Sequence, residues 1–181
     1  RMEPRMDNTL NENNPTYMRI YIERVGRYYD FDGWTGIGLQ NDGFDGFSVK
    51  GGAKYNFSAF LRYVQGDAKN VRNVLAEPQG WGKNPKLLAE ARVKVDNNNW
   101  RKFEAQLTPN ADCKNAVLQV LVETTGAIDM DEISLMPEDT YKGHGLRKDL
   151  AQALADLHPK FMRFPGGCVV HGGGDGFWNT Y

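Results

Sequence analysis

In the stretch Arg101-Lys102-Phe103-Glu104-Ala105-Gln106-Leu107, polar and apolar side chains alternate without a break from Lys102 onward. Successive side chains of a β-strand point to opposite faces, so Phe103, Ala105 and Leu107 share one face and the polar side chains between them share the other. This pattern predicts a strand with one face in a core and the other in water.

Eight other short runs of aromatic and branched residues surround this strand, separated by glycine, asparagine, aspartate and proline clusters. They predict strands at 17–25, 34–40, 46–49, 55–64, 71–76, 88–95, 116–122 and 128–135. The links carry turn formers such as Asp42-Gly43 and Gly51-Gly52, which tolerate positive φ. Nine short strands without a convincing helix between them predict a mainly β chain, an antiparallel β-sandwich of the jelly-roll kind.

The apolar period changes after Pro137. Leu146, Leu150, Leu154 and Leu157 follow one another at steps of four, four and three, which places them on one side of an α-helix. Pro159 ends this helix, and the β-like run at 161–164 follows it. A helix that leads into a short strand is half of an α/β repeat. We therefore expect a polar N-terminal segment at 1–15, a sandwich at 16–137 and part of an α/β domain at 138–181.

Composition excludes two classes of partner. The 181 residues include 22 basic and 23 acidic side chains, for a net charge of -1, which offers no field to hold nucleic acid. Mean hydropathy is -0.60, and no apolar run approaches the ~20 residues of a membrane-spanning helix. Residues 1–14 lack the order of a signal peptide. Localisation stays open: periplasmic or extracellular if a signal was removed, cytoplasmic otherwise.

The glycine-rich loop at 165–174 is the first candidate site. In an α/β barrel, the loop after each strand lies on the face where ligands bind, and glycines let the backbone come close to a ligand. A plain tight turn is the alternative interpretation of Pro165-Gly166-Gly167.

The longer string around this loop resembles a known family. Residues 160–168, Lys-Phe-Met-Arg-Phe-Pro-Gly-Gly-Cys, follow Gly145-Leu146-Arg147-Lys148-Asp149-Leu150 and the predicted helix. This order is similar to the early barrel segment of the α-L-arabinofuranosidases of glycoside hydrolase family 51. Residues 44–46, 55–58, 100–103 and 131–137 resemble the sandwich that bacterial members insert ahead of this helix, which is similar to carbohydrate-binding modules.

The resemblance implies a retaining hydrolase on a (β/α)₈ barrel that removes terminal arabinofuranosyl groups from arabinan or arabinoxylan. Such an enzyme uses two carboxyl groups about 5–5.5 Å apart, and the family carries both on later barrel strands, beyond Tyr181. We therefore expect no catalytic residue in this chain and no hydrolysis by it alone. No metal or organic cofactor is expected, because carboxylates can do the covalent and the proton-transfer work.

The resemblance also implies roles for residues of the glycine-rich loop. Gly166, Gly167 and Cys168 match the loop beside the arabinose-binding subsite, and Arg163 matches the strand residue that supports it. His171 stands where many relatives have glutamate and completes the predicted substrate-binding set. The expected partners are an arabinose-containing saccharide, the remainder of the barrel and, through the leucine face of the helix, a second copy of the chain.

The sandwich has candidate sugar-contacting aromatics of its own. Tyr29 and Trp34 belong to the aromatic loop at 28–34, and Trp81 lies between two glycines in another loop. Exposed aromatic rings suit the apolar C–H faces of sugars, although most aromatic residues fill cores. Three interpretations stay open: a glycan-binding module that stands alone, a brace for the barrel, and a small hydrolase complete in itself.

Other signals are weaker. Asp30, Asp32, Asp42 and Asp45 are clustered as calcium ligands would be, but the EF-hand pattern fails at Trp34, and surface turns explain them equally well. His171-Gly172-Gly173-Gly174 is similar to an esterase oxyanion loop, yet the chain has no Gly-x-Ser-x-Gly elbow.

Overall fold

A computed structural model of the chain describes residues 1–25, 36–43, 45–80 and 85–161. In these ranges the chain forms strands, one 3₁₀ turn (Tyr141–Gly143) and one helix, α1 (Lys148–Asp156). The strands are β1 (Met2–Arg5), β2 (Tyr17–Ile22), β3 (Ile37–Asn41), β4 (Phe47–Val49), β5 (Tyr55–Gly66), β6 (Asn70–Glu77), β7 (Lys86–Lys94), β8 (Arg101–Leu107), β9 (Cys113–Val122) and β10 (Gly126–Pro137).

The strand pattern predicted from the sequence is confirmed. β8 spans Arg101–Leu107, the range predicted for it, and the other eight predicted strands are present as β2–β7, β9 and β10 with ends shifted by a few residues. The structure also contains β1, which lies in the N-terminal segment at 1–15, where the sequence predicted no strand. Met2 pairs with Ile20 and Arg5 with Tyr17, so β1 extends one sheet at its edge.

Two antiparallel sheets build the sandwich. The first sheet has the order β1-β2-β10-β5-β8, and the second has the order β3-β9-β6-β7, with β4 also paired to β9. Most strands that pair in a sheet are far apart in sequence. For example, β10 lies between β2 and β5. This arrangement confirms the predicted antiparallel β-sandwich.

The core lies between the two sheets. Alternate residues of β5 and β8 supply Phe57, Leu61 and Leu107, which are almost completely buried. Leu75 of β6 and Leu118 of β9 belong to the same buried cluster from the second sheet. Burying each such side chain contributes about 1.5–3 kcal/mol to the stability of the fold. Strands that alternate apolar and polar residues therefore pack their apolar faces together as a sandwich.

The chain divides into two units, Arg1–Asp139 and Thr140–Tyr181. In the second unit, the predicted helix is confirmed as α1, which carries Asp149 in its first turn, where the helix dipole favours an acid. Leu150 and Leu154 lie on α1, flanked by Leu146 and Leu157, and all four side chains are exposed. Most of the short strand predicted at 161–164 lies outside the described residues. None of the described helices has the length and hydropathy needed to cross a membrane.

Candidate functional site

The site residues predicted from the sequence lie outside the part of the chain that the structure describes. This holds for the substrate-binding set, Arg163, Gly166, Gly167, Cys168 and His171, and for the aromatics Tyr29, Trp34 and Trp81. Their roles therefore stay predictions. The described residues offer three other features at which function or stability could be concentrated: two cavities and one buried cluster of charges.

The first feature is a polar cavity of about 590 Å³ at one end of the sandwich, here called the end cavity. β4 and β6 end there, while β5 and β9 begin there. Its lining residues are Ser48, Val49, Lys50, Tyr55, Glu77, Asp112, Cys113, Lys114 and Asn115. Most of them carry polar or charged side chains, so the cavity is suited to a ligand that forms hydrogen bonds.

Backbone hydrogen bonds fix the loop between β4 and β5 at the rim of the end cavity. The Gly51 N–H donates to Asp112 Oδ1 at 2.7 Å, and the Gly52 N–H donates to the Pro109 carbonyl at 2.8 Å. The Lys50 N–H donates to the Tyr55 hydroxyl oxygen at 2.9 Å. Because both sides of the rim are tied together, the cavity is preformed.

The second feature is a groove of about 520 Å³ that opens between the two sheets. Its walls are mainly apolar side chains, with three polar residues among them: Leu39, Gln40, Asn41, Phe47, Leu118, Val120, Ile133, Ser134 and Leu135. Leu118 and Val120 also belong to the buried core, so the groove is continuous with the interior of the sandwich.

The third feature is a buried charge cluster on the first sheet, centred on Asp129. This carboxylate has no exposed surface and lies on β10, between Arg19 of β2 and Arg62 of β5. Arg19 donates from Nε at 2.6 Å and from Nη2 at 2.9 Å, and Arg62 donates from Nε at 2.6 Å. Two guanidinium groups thus satisfy a single buried acid.

The charge cluster also holds the N-terminal segment. Arg62 Nη1 donates to the Asn8 carbonyl at 2.8 Å, and Trp100 Nε1 donates to the same oxygen at 3.0 Å. Tyr17 donates its hydroxyl proton to the Asp7 carbonyl at 3.0 Å, and Arg62 lies over the Tyr17 and Trp100 rings. Burial raises the pKa of Tyr17, and the neighbouring Asp129 charge acts in the same direction. The cluster therefore acts structurally, binding residues 7–8 to the sheet.

Neither the sequence pattern nor a local motif pointed to the end cavity. Its lining residues come from four strands and the loops beside them, spread between Ser48 and Asn115, and only the polar run Asp112-Cys113-Lys114-Asn115 could have served as a local signal. Within the described ranges, no three His, Cys, Asp or Glu side chains lie close enough together to hold a metal ion. Asp42 and Asp45, weighed above as calcium ligands, belong to these ranges, whereas Asp30 and Asp32 do not.

Known proteins have sequences similar to this one over most of its length. The chain is 36% identical over 137 residues to α-L-arabinofuranosidase 1 of Arabidopsis thaliana, which covers 76% of this chain and 20% of the relative. It is 35% identical over 167 residues to an extracellular exo-α-L-arabinofuranosidase of Streptomyces chartreusis, which covers 91% of this chain and 18% of the relative. No family model matches the chain.

A solved structure shares the fold. An arabinose-bound α-L-arabinofuranosidase of glycoside hydrolase family 51 superposes with a TM-score of 0.67 at 22% identity, over 92% of this chain and 28% of that one. The resemblance to the family 51 α-L-arabinofuranosidases is confirmed. The chain spans about a fifth of the length of these curated arabinofuranosidases, so it corresponds to one segment of such a protein.

Proposed function

We propose that this chain is the sandwich-plus-helix segment of an α-L-arabinofuranosidase. The protein that contains it hydrolyses terminal, non-reducing α-L-arabinofuranosides in arabinan, arabinoxylan or their oligosaccharides. Its partner is accordingly an arabinose-containing saccharide, and the remainder of the barrel completes its active site.

One observation carries this proposal. The alignment with the Streptomyces enzyme covers 91% of this chain, so it leaves out about 16 residues, fewer than the 44 residues from Glu138 to Tyr181. The alignment therefore includes both sandwich residues and residues after Pro137 in one relative. A module that stands alone would need no such continuation, so the segment interpretation is favoured over the stand-alone glycan-binding module.

The reaction proposed for the longer protein is a double displacement. One carboxylate attacks the sugar carbon, and a second carboxyl group about 5–5.5 Å away serves first as acid and then as base. In this proposal both glutamates lie on later barrel strands, beyond Tyr181, and this chain contributes binding groups. Gly166, Gly167 and Cys168 line the arabinose subsite, with Arg163 behind them and His171 near them.

The sandwich at 16–137 is proposed to bind saccharide itself rather than to act only as a structural brace. Its preformed end cavity favours direct contact with saccharide, since the cavity exposes hydrogen-bonding groups on a fixed rim. A pure brace would need only the sheets and the apolar core. The aromatics Tyr29, Trp34 and Trp81 are proposed as further sugar contacts.

Arabinose release tests the proposal. The longer gene product that contains this chain should release p-nitrophenol from p-nitrophenyl α-L-arabinofuranoside, and NMR should show the α-anomer as the first sugar product. The 181-residue chain, purified in the same way, is the control and should release none. Release by the control, or none by a well-folded longer product, would contradict the proposal.

A further inference from the structure

The end cavity carries an inference beyond arabinose hydrolysis, and it rests on the proposed function for its saccharide context. We propose that the end cavity binds the carboxylate of an acidic sugar, a uronic acid unit within the polysaccharide. The proposal follows from which polar groups around the cavity already have partners and which have none.

The two acidic side chains of the cavity are already engaged. Asp112 accepts the Gly51 N–H at 2.7 Å, and Glu77 lies 3.7 Å from Lys86 Nζ in an ion pair. Glu77 is therefore balanced by a lysine on the neighbouring strand β7, whereas Asp112 is held by a neutral N–H at one oxygen and keeps its negative charge in the lining.

In the described part of the chain, the hydrogen-bond donors of the end cavity have fewer partners than its acidic side chains. Lys50 and Lys114 line it, and neither has a carboxylate within ion-pair distance among the residues that the structure describes. The Tyr55 hydroxyl accepts the Lys50 N–H, but within the described ranges its own proton has no acceptor. Asn115 accepts the Cys113 S–H at Oδ1, at 3.3 Å, and its amide hydrogens have no acceptor among the described residues.

Two lysines against one unbalanced carboxylate, Asp112, give the lining an excess of positive charge, which favours a ligand that offers acceptors and negative charge. Hydrogen bonds in which one partner is charged are roughly twice as strong as neutral ones, so a carboxylate gains most from two ammonium groups. The cavity also has apolar walls, the Tyr55 ring and the buried Val49. A bare inorganic anion makes no use of such walls, whereas a sugar ring places its C–H face against them.

Titration of the ¹⁵N-labelled 181-residue chain, followed by NMR, tests the inference. The probe is a xylo-oligosaccharide with one glucuronic acid branch, compared with the same oligosaccharide without the branch and with sodium acetate. We expect the acidic oligosaccharide to shift the amides of Lys50, Asp112 and Lys114, and to bind at least tenfold more tightly than either comparison ligand. Its affinity should fall as NaCl is raised, because salt screens exposed charges.

Variants identify the groups responsible. The double variant Lys50→Gln/Lys114→Gln should weaken binding of the acidic probe at least tenfold. Tyr55→Phe, which keeps the ring and removes the hydroxyl, should weaken it less. Lys94→Gln is the matched control, since this exposed lysine lies at the far end of β7 and no ion pair to it is found among the described residues. It should leave binding unchanged.

Three results would overturn the inference: equal affinity for the neutral and acidic oligosaccharides, shifts confined to residues away from the cavity, or a double variant with a dispersed spectrum that binds as well as the original chain. Binding by this chain is measured separately from arabinose release by the longer product. The uronate inference and the proposed function can therefore fail independently.

Discussion

At the scale of single residues, Asp129 is a buried acid whose substitution should be costly. It is fully buried, and its oxygens accept three hydrogen bonds from Arg19 and Arg62. A buried ion pair adds little compared with an apolar substitute, but removing one partner leaves the others as uncompensated buried charges. Here a single acid compensates two guanidinium groups.

We therefore expect Asp129→Asn to lower the free energy of unfolding by about 3–5 kcal/mol. Urea denaturation followed by tryptophan fluorescence measures the change. The matched control is Glu104→Gln on the same sheet, where an exposed carboxylate pairs with Lys102 at 2.8 Å and should leave the urea midpoint unchanged. An Asp129→Asn loss no larger than that of the control would show that the cluster is not a source of stability.

The sequence alone could not predict this cluster. Arg62 and Arg19 precede Asp129 by 67 and 110 residues along the chain, and only the order β2-β10-β5 brings the three side chains together. Strand alternation could predict that Asp129 faces away from Ile128 and Met130. It could not predict that residues 7–8 would cover that outer face and bury the charge.

At the scale of elements, the sequence predicted strands where alternation was regular and failed where it was short. β8 has six alternating residues, Lys102–Leu107, and was predicted with its observed ends. β1 has only Met-Glu-Pro-Arg, and Pro4 argues against a central strand. The proline is tolerated because β1 lies at the edge of the first sheet, a position that depends on the whole topology.

Gly126, the first residue of β10, lies in close contact with the backbone of β5. Gly126 has a φ of 136°, and a Cβ added there would lie 2.2 Å from the Gln65 carbonyl oxygen of β5. Gly126→Ala should therefore lower the free energy of unfolding by about 3 kcal/mol or more, since it combines backbone strain with a displaced backbone.

The control for this substitution is Gly52→Ala. Gly52 also has a positive φ, 76°, but a Cβ there would meet nothing within 4 Å. It should cost only the strain of the left-handed conformation, about 1–2 kcal/mol. Thermal unfolding of both variants, followed by circular dichroism, separates the two contributions. Equal losses would mean that the β5–β10 contact at Gly126 adapts without cost.

At the scale of the whole molecule, arginine–carboxylate pairs occur on both sheets, in and beside β1 on the first and between β6 and β7 on the second. On the first sheet, Arg1 and Arg5 hydrogen-bond to Glu3, and Arg5 also donates to Asp7 at 2.7 Å. On the second sheet, Arg72 donates to Glu90 at 2.7 Å. Although the net charge is only -1, the fold contains several arginine–carboxylate pairs, and their carboxylates become protonated in acid.

These pairs should make the free energy of unfolding fall as the pH is lowered. The hydrogen bond from Arg1 lowers the pKa of Glu3, that from Arg5 lowers the pKa of Asp7, and that from Arg72 lowers the pKa of Glu90. A carboxylate whose pKa is lower in the folded state binds fewer protons there than in the unfolded state. Its contribution is complete above the unfolded pKa and is lost as pH falls through the folded pKa.

We therefore expect the free energy of unfolding to be constant from pH 7 to about pH 5 and to fall below about pH 4.5, the ordinary glutamate value. Urea titrations at pH 7, 5, 4 and 3 measure the profile. Arg5→Gln removes a partner of both Glu3 and Asp7, so it should flatten the acid limb, whereas Lys94→Gln should leave it unchanged. The same slope in all three proteins would mean that the pairs made by Arg5 contribute nothing to folding, and that acid acts on other carboxylates.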